Sequence, residues 1–169
     1  YESRFNQYDI MIEKPPTLVP RSRRLTVRER TDVNGRVLAE LDEDGVDGVC
    51  DELEQLGVES VAVGFLHAYA NPDHEVRVRE LIANRHPQLS VSLSSEVCPE
   101  VREYERLSTT VANAYVRPLM ESYLGRLGER LQSLGATCPL LLMTSGGGLT
   151  TLETAMRFPI RLVESGPAG

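Results

Sequence analysis

Two glycine-bearing segments carry the residue types best suited to chemistry: Ser145-Gly146-Gly147-Gly148 and Ser165-Gly166-Pro167-Ala168-Gly169. Each offers successive backbone N–H groups, little side-chain bulk and a hydroxyl. Such a turn can form an anion-binding concavity without lysine and lets a ligand approach the backbone closely. The alternative is that both are tight connections between elements. Neither contains the Gly-Lys-Ser/Thr step of a P-loop, and neither matches the dinucleotide pattern G-x-G-x-x-G. A third group is the charged run containing Glu96, Glu100, Arg102, Glu103, Glu105 and Arg106. Its carboxylates can hold Mg²⁺ partly through water, and its arginines can clamp a carboxylate or phosphate in bidentate fashion. Alternating charge equally describes a solvated face. His67 offers a general base or a hydrogen-bonded structural imidazole. Cys98 offers a nucleophile or an inert buried thiol. Thr109, Thr110 and Asn113 suit capping and packing of a helix.

These groups need elements to position them. Asn34-Gly35, between the short extended runs Arg24 to Asp32 and Val37 to Leu41, predicts a small N-terminal β-hairpin. Residues Tyr1 to Arg23, with Pro15, Pro16 and Pro20, read as an irregular lead-in. Val46, Val49, Leu53 and Leu56 recur at helical spacing, and Gly57 stops that helix. Val58 to Leu66 reads as a buried strand. Asn71-Pro72 opens a helix to about Arg85, with Val78, Leu81 and Ile82 on its apolar stripe. Leu89 to Leu93 is the next strand. The strand–helix–strand order predicts parallel pairing. A long helix follows from about Ser108 to Leu134, its apolar face including Val116, Leu119, Met120, Tyr123, Leu124, Leu127 and Leu131. Pro118 should kink or interrupt it. Pro139 to Met143 is expected as a buried strand, Thr151 to Arg157 as a short helix and Ile160 to Val163 as a last strand. If all strands run parallel, His67, Ser94 to Glu96, Ser145 to Gly148 and Ser165 to Gly169 lie along one edge, where ligands of open α/β sheets bind.

Composition bounds the function. The 169 residues are 41% hydrophobic, enough for a core. A net charge of −7 argues against non-specific nucleic-acid binding. Lys14 is the sole lysine, so any bound phosphate falls to arginine or backbone N–H groups. No apolar run approaches the roughly 20 residues of a membrane helix. Cys50, Cys98 and Cys138 are far apart and odd in number, which fits a reducing, cytoplasmic compartment. With His67, His74 and His86 they show no zinc-ligand spacing, so no metal site is expected from them. A chain that opens on Tyr1 and stops within a turn reads as cut from something longer.

The same segments carry a resemblance. Val19-Pro20-Arg21 with Val27-Arg28-Glu29-Arg30 is similar to the hydantoinase A/oxoprolinase pattern, and so is Phe65-Leu66-His67-Ala68-Tyr69-Ala70-Asn71-Pro72-Asp73-His74-Glu75. The stretch from Ser94 to Arg106, the run Ser108 to Val116, Met143-Thr144-Ser145-Gly146-Gly147-Gly148 and Ser165 to Gly169 continue the series in order. Family members often have Asn where Gly146 stands. The resemblance implies an α/β fold with a mainly parallel sheet and flanking helices, part of an actin-like, ribonuclease H-like ATPase. Residues 1–106 would close the N-terminal domain and 107–169 would open the central one. It implies ATP- and Mg²⁺-dependent activation of an amide, lactam or enolate oxygen by phosphoryl transfer, as in enzymes that open hydantoins or 5-oxoproline. Subunits of acetone- and acetophenone-type carboxylases belong to the same family, and a hydantoinase B-type partner subunit or an oligomer is implied. On this reading Ser145, Gly146, Gly147, Gly148, Ser165, Gly166, Gly169, Glu96, Arg102, Arg106 and His67 are the candidate nucleotide- or substrate-binding residues. The family's two Asp-x-Gly-Gly-Thr phosphate loops lie before and after the matched region, and none occurs here. The isolated chain is therefore expected to bind no cofactor tightly and to be inactive alone. A non-catalytic α/β module that binds a partner subunit is the reading from a different class.

Overall fold

The structure, a computed structural model, describes residues 10, 11 and 16–166. The lead-in lies partly outside those residues. Inside them, Arg21–Arg23 forms one 3-10 turn. The predicted hairpin is present as β1 (Arg30–Thr31) paired antiparallel with β2 (Val37–Ala39). Its loop is closed by Asp32 and Arg36, whose backbone groups bond at 2.9 Å. The Asp32 carboxylate accepts the N–H groups of Asn34 and Arg36, both at 2.9 Å, and Gly35 supplies the left-handed residue at φ 81°.

Helix α1 (Glu43–Leu56) starts on Asp42, whose side chain accepts Gly45 N–H at 3.1 Å, and ends on left-handed Gly57. It buries Val46, Cys50 and Leu53 at helical spacing. Strand β3 (Ser60–Val63) runs parallel to β4 (Ser90–Leu93), with Ser60 opposite Ser90 and Val63 opposite Leu93. Helix α2 (Asp73–Arg85) makes the crossover, and the Asn71 side chain accepts Asp73 N–H at 3.0 Å at its start. Val46, Cys50, Leu53, Val63, Val78, Ile82 and Leu93 form the buried core. The Arg77 guanidinium grips Glu43 at 2.8 and 2.9 Å, and Arg85 pairs with Asp51, which ties α1 to α2.

The parallel pair divides its residues by face. Val61, Val63, Val91 and Leu93 pack with the core. Ser60, Ala62, Ser90 and Ser92 alternate to the other face, where, beyond the short helix α3 (Ser94–Val97), small side chains let α4 (Glu103–Ser133) come close. Just past β3, a Cβ on Gly64 would lie 1.9 Å from Leu107 Cδ2 of α4. Helix α4 begins five residues earlier than the pattern predicts and runs through Pro118 without interruption. The proline costs the helix one bond, because it cannot donate to the carbonyl four residues back, that of Ala114. Ser60 Oγ donates to that carbonyl at 2.6 Å instead. The strand thus repairs the helix that packs on it.

The C-terminal part departs from expectation. Strand β5 (Leu141–Met143) is half exposed rather than buried, and it pairs antiparallel with β6 (Leu149–Thr151), a strand that the pattern does not predict. Helix α5 (Leu152–Arg157) follows, capped by Thr151. The expected strand from Ile160 to Val163 is a 3-10 turn over Pro159–Leu162. Pro159 explains the difference: its fixed φ suits a first helical position, and it has no N–H for a sheet ladder. The architecture is mixed α/β, with one parallel pair between helices and small antiparallel hairpins on either side of it in sequence. No helix among the described residues is long and apolar enough to cross a membrane.

Ser60→Ala should lower stability by about 1–3 kcal/mol, the cost of orphaning a buried carbonyl. Pro118→Ala in the same chain should restore part of that loss by supplying an N–H to Ala114. A urea double-mutant cycle reads the coupling, and purely additive effects would exclude the repair.

Candidate functional site

The end of β3 is held by side chains from three other elements. Glu75, fully buried on α2, accepts Phe65 N–H at 3.0 Å, Ser94 Oγ at 2.6 Å, Ser95 N–H at 2.9 Å and Ser95 Oγ at 2.7 Å. Arg106, fully buried at the start of α4, donates Nε to Ser94 Oγ at 3.2 Å and Nη2 to the Phe65 carbonyl at 2.9 Å. Its Nη1 reaches the Glu100 carbonyl at 2.7 Å, and its guanidinium carbon lies 5.5 Å from the Tyr69 ring centre. Ser94 therefore accepts from the cation and donates to the anion. Both polar groups of the Phe65 backbone are gripped, one by each.

From that pinned bend projects His67, in the left-handed region at φ 59°. Its carbonyl accepts Ala70 N–H at 2.9 Å, which stabilises the turn. Its Nδ1 lies 3.4 Å from Tyr69 Oη and 3.9 Å from Glu103 Oε1. The imidazole has a hydroxyl and a carboxylate beside it.

One step beyond Ser95, Glu96 begins a second cluster. Its two oxygens accept Arg79 Nη1 at 2.8 Å and Arg157 Nη2 at 2.6 Å. Burial pushes the Glu96 carboxyl up, but the hydrogen bonds and charges of Arg79 and Arg157 outweigh it and hold the group below the usual glutamate value of 4.5. Arg161 Nη2 reaches the Glu96 carbonyl at 3.4 Å, and Arg157 and Arg161 lie 5.1 and 4.5 Å from the Phe158 ring centre. Buried Asn113 on α4 anchors the same segment: its amide donates to Ser92 Oγ at 3.0 Å and to the Arg157 carbonyl at 3.2 Å, and it accepts Ile160 N–H at 3.2 Å.

The glycine turn joins this cluster by a route other than the expected one. Ser145 to Gly148 belongs to an antiparallel hairpin loop, so it does not follow a parallel strand. It is brought in by the 3-10 turn: Ser145 N–H and Oγ both donate to the Arg161 carbonyl, at 2.8 and 3.0 Å. A cavity of about 350 Å³ opens there, lined by Thr144, Ser145, Gly146, Leu149, Thr150 and Arg161. Ser165 N–H bonds Leu162 O at 3.2 Å, so this second bend adjoins the same turn, with Gly166 next to it. Gly169 lies outside the described residues. Arg102 stands apart, exposed, with Glu105 as its ion-pair partner at 3.5 Å.

The donor set does not make a magnesium site. Both Glu96 oxygens are taken by guanidinium groups, all four Glu75 bonds are internal, and no group of three or more His, Cys, Asp or Glu among the described residues is placed to hold a metal. Burial, followed by the nearby Glu100 carboxylate, pushes the Cys98 thiol up, which disfavours the nucleophilic thiolate. The rim gathers guanidinium groups paired with Glu96 and a glycine turn whose Ser145 donors are held by the Arg161 carbonyl.

The residues that sequence reading missed are Glu75, Arg79, Arg157 and Arg161, whereas Asn113, expected to cap and pack, packs against Ser92 and the Arg157–Ile160 backbone. Glu75 left a trace: it stands at helical spacing with Val78 and Ile82 on the buried stripe of α2, where a carboxylate needs a reason.

The fold and rim define a mixed α/β segment whose edge brings arginines, Glu96 and a glycine turn together. Comparison with known proteins gives the family. Residues 1–86 match the hydantoinase/oxoprolinase N-terminal region and residues 106–169 match hydantoinase/oxoprolinase. The chain belongs to the hydantoinase/oxoprolinase family. It is 33% identical to caprolactamase subunit alpha of Pseudomonas jessenii over 96% of this chain and 23% of that one. The crystal structure of that ATP-dependent caprolactamase superposes with a TM-score of 0.88 at 32% identity, over 99% of this chain and 24% of that one. It is 36% identical to 5-oxoprolinase of Saccharomyces cerevisiae over 79% of this chain and 10% of that one. Nucleotide-free acetone carboxylase gives a TM-score of 0.84 at 26% identity, over 92% of this chain and 22% of that one. The chain thus spans about a quarter, or less, of the length of these relatives.

Ser94→Ala should cost about 2–4 kcal/mol, because it leaves a buried anion and a buried cation each short of a partner. Ser95→Ala should cost less, since Ser95 is only partly buried and water can replace its hydroxyl; the reverse ranking in urea melts would refute the bridging role.

Glu96 titrates with a lowered value when folded, so its contribution is present above pH 4.5 and is lost as pH falls through the lower folded value. The thermal-midpoint gap between wild type and Glu96→Gln should be widest near neutrality and close on acidification. A gap independent of pH would remove the ion pairs from the account.

Proposed function

We propose that this chain is part of an ATP-dependent enzyme that opens cyclic amides of the lactam, hydantoin or 5-oxoproline kind. The observation that carries this reading is the meeting, at one rim, of the glycine turn Ser145–Gly148 with the arginine-bearing segment from Arg157 to Arg161 and the end of β4. Amide resonance makes a ring carbonyl a poor electrophile, and phosphoryl transfer to its oxygen is a way to activate it. Such transfer asks the protein mainly for positioning and charge neutralisation. Guanidinium and backbone N–H groups supply both for an anionic group, and the two bends could hold it between them.

On this reading residues 1–106 close an N-terminal unit and residues 107–169 open a central one. The nucleotide and its Mg²⁺ are held mainly by parts of the longer protein, and a hydantoinase B-type subunit is the expected partner. Caprolactamase and 5-oxoprolinase favour ring opening. The likeness to acetone carboxylase supports a second reading, a subunit of an ATP-dependent ketone carboxylase.

The test is ADP release by a protein of the relatives' full length, offered caprolactam, 5-oxoproline, hydantoins and acetone with and without bicarbonate. Ring opening coupled to ADP release without bicarbonate is the expected result, and ADP release that requires both a ketone and bicarbonate would transfer the assignment to the carboxylase. The 169-residue chain alone should show no turnover with any of them.

A further inference from the structure

Among the described residues, only His67 and Glu164 adopt positive φ without being glycine, and Glu164 is exposed near the end of the chain. His67 is half-buried, in the bend that Glu75 and Arg106 hold. Glycine or asparagine takes up the left-handed conformation with less strain than an imidazole-bearing residue does. The loops at Gly35 and Gly147 meet the same need with glycine. A ring kept at such a position points to a use for the ring, since strained conformations gather where a site is pre-organised.

The two ring nitrogens of His67 are set differently. Nδ1 faces Tyr69 Oη at 3.4 Å and the Glu103 carboxylate at 3.9 Å. The Tyr69 ring meets the imidazole edge-on, with centroids 5.9 Å apart, and has the Arg106 guanidinium 5.5 Å from its centre. Nε2 has no hydrogen-bond partner among the described residues. It is not sealed off, because Ser90 Oγ is the only buried side-chain nitrogen or oxygen among them without a partner. With its proton on Nδ1, facing the carboxylate, the neutral ring presents the Nε2 lone pair to solvent. That is the arrangement of an acid–base histidine, one nitrogen oriented by an acceptor and the other open to a reactant. The bend also lies on the candidate rim. Strands β3 and β4 end side by side, and Arg106 joins Phe65, two residues before His67, to Ser94, two residues before Glu96.

We propose that His67 is a proton-transfer residue of ring opening, with Glu103 and Tyr69 as its positioning residues. The proposal rests on the cyclic-amide reading given above. Water bonds through its oxygen to the activated ring carbon and passes one proton to Nε2. The carbon–nitrogen bond then breaks, its electron pair stays on nitrogen, and Nε2 delivers the proton there. The hydroxyl left on carbon becomes a carbonyl oxygen and gives its proton to solvent, and the imidazole ends neutral, as it began.

A protein of the relatives' full length, offered caprolactam, 5-oxoproline or hydantoin, carries the test. Asparagine and glycine both accept the left-handed conformation, so His67→Asn and His67→Gly should keep the thermal midpoint of wild type or raise it. KM should stay unchanged, while the single-turnover rate of ring opening falls about 10²–10⁴-fold, the usual contribution of a positioned proton-transfer group. Added imidazole should restore part of the turnover of His67→Gly, which a residue needed only for the turn would not allow. Wild-type rates in both variants, or a fall in thermal midpoint that accompanies the lost rate, would overturn the proposal and leave the reading of the reaction intact. Failure of the wild type to open any of the three rings would overturn that reading and the proposal together.

Discussion

Burial of the Glu75 carboxylate is the constraint on which the rest of this segment depends. A charge removed from water costs several kcal/mol unless hydrogen bonds replace its hydration. The chain meets that requirement with four donors drawn from the end of β3 and the start of α3 (Ser94–Val97), which also places the Phe65 and Ser95 backbones. Arg106 balances the charge one atom away, through Ser94 Oγ. Glu75 lies in the first family segment and Arg106 at the first residue of the second, so the network joins the two. No part of it can shift without leaving a buried ion short of a partner, so the bend carrying His67 is held from both sides.

A second constraint is the close approach of α4. The serine and alanine face of the parallel pair admits the helix, and what side-chain bulk no longer provides is supplied by polar contacts: Ser60 to the Ala114 carbonyl, Asn113 to Ser92, and Arg117 to the Val91 carbonyl at 2.8 Å. Asn113 extends this set by holding the Arg157–Ile160 backbone. The chain of contacts then runs from Ser92 through Asn113 to the 3-10 turn and, through the Arg161 carbonyl, to Ser145. The glycine turn is positioned by helix packing, with no strand of the parallel pair leading into it.

This explains which features were legible in the sequence. The Asn34-Gly35 hairpin, α1 with its Gly57 stop, the crossover through α2 and the parallel pair all rest on local signals, and each is present. The hairpin from Leu141 to Thr151 was not legible, because Leu-Thr-Thr reads as a helix start and its pairing is a tertiary fact. The strand expected at Ile160 fails on Pro159. Pro118 predicts a kink or interruption because its missing N–H is visible in sequence, whereas the compensating Ser60 hydroxyl stands 58 positions earlier. For the candidate site, residue types were readable at Glu96, Arg106 and His67, but partners were not. Arg79, Arg157 and Arg161 meet Glu96 only after the chain folds.

The glycine turn separates what folding requires from what it does not. The loops Val33–Gly35 and Ser145–Gly147 have the same geometry: Asp32 and Thr144 each accept from the glycine three residues on, and Asp32 with Arg36 and Thr144 with Gly148 close the loop. Each loop needs one left-handed residue, met by Gly35 at φ 81° and Gly147 at φ 79°. In the first loop the remaining positions carry ordinary side chains. In the second, Gly146 and Gly148 do not adopt positive φ, and a Cβ at Gly146 would touch nothing within 4 Å. Within this chain the turn would tolerate a larger residue there. The backbone conformation therefore accounts for Gly147 alone. Gly146 lines the cavity that opens at this turn, so a side chain added there would enter that space without disturbing the loop.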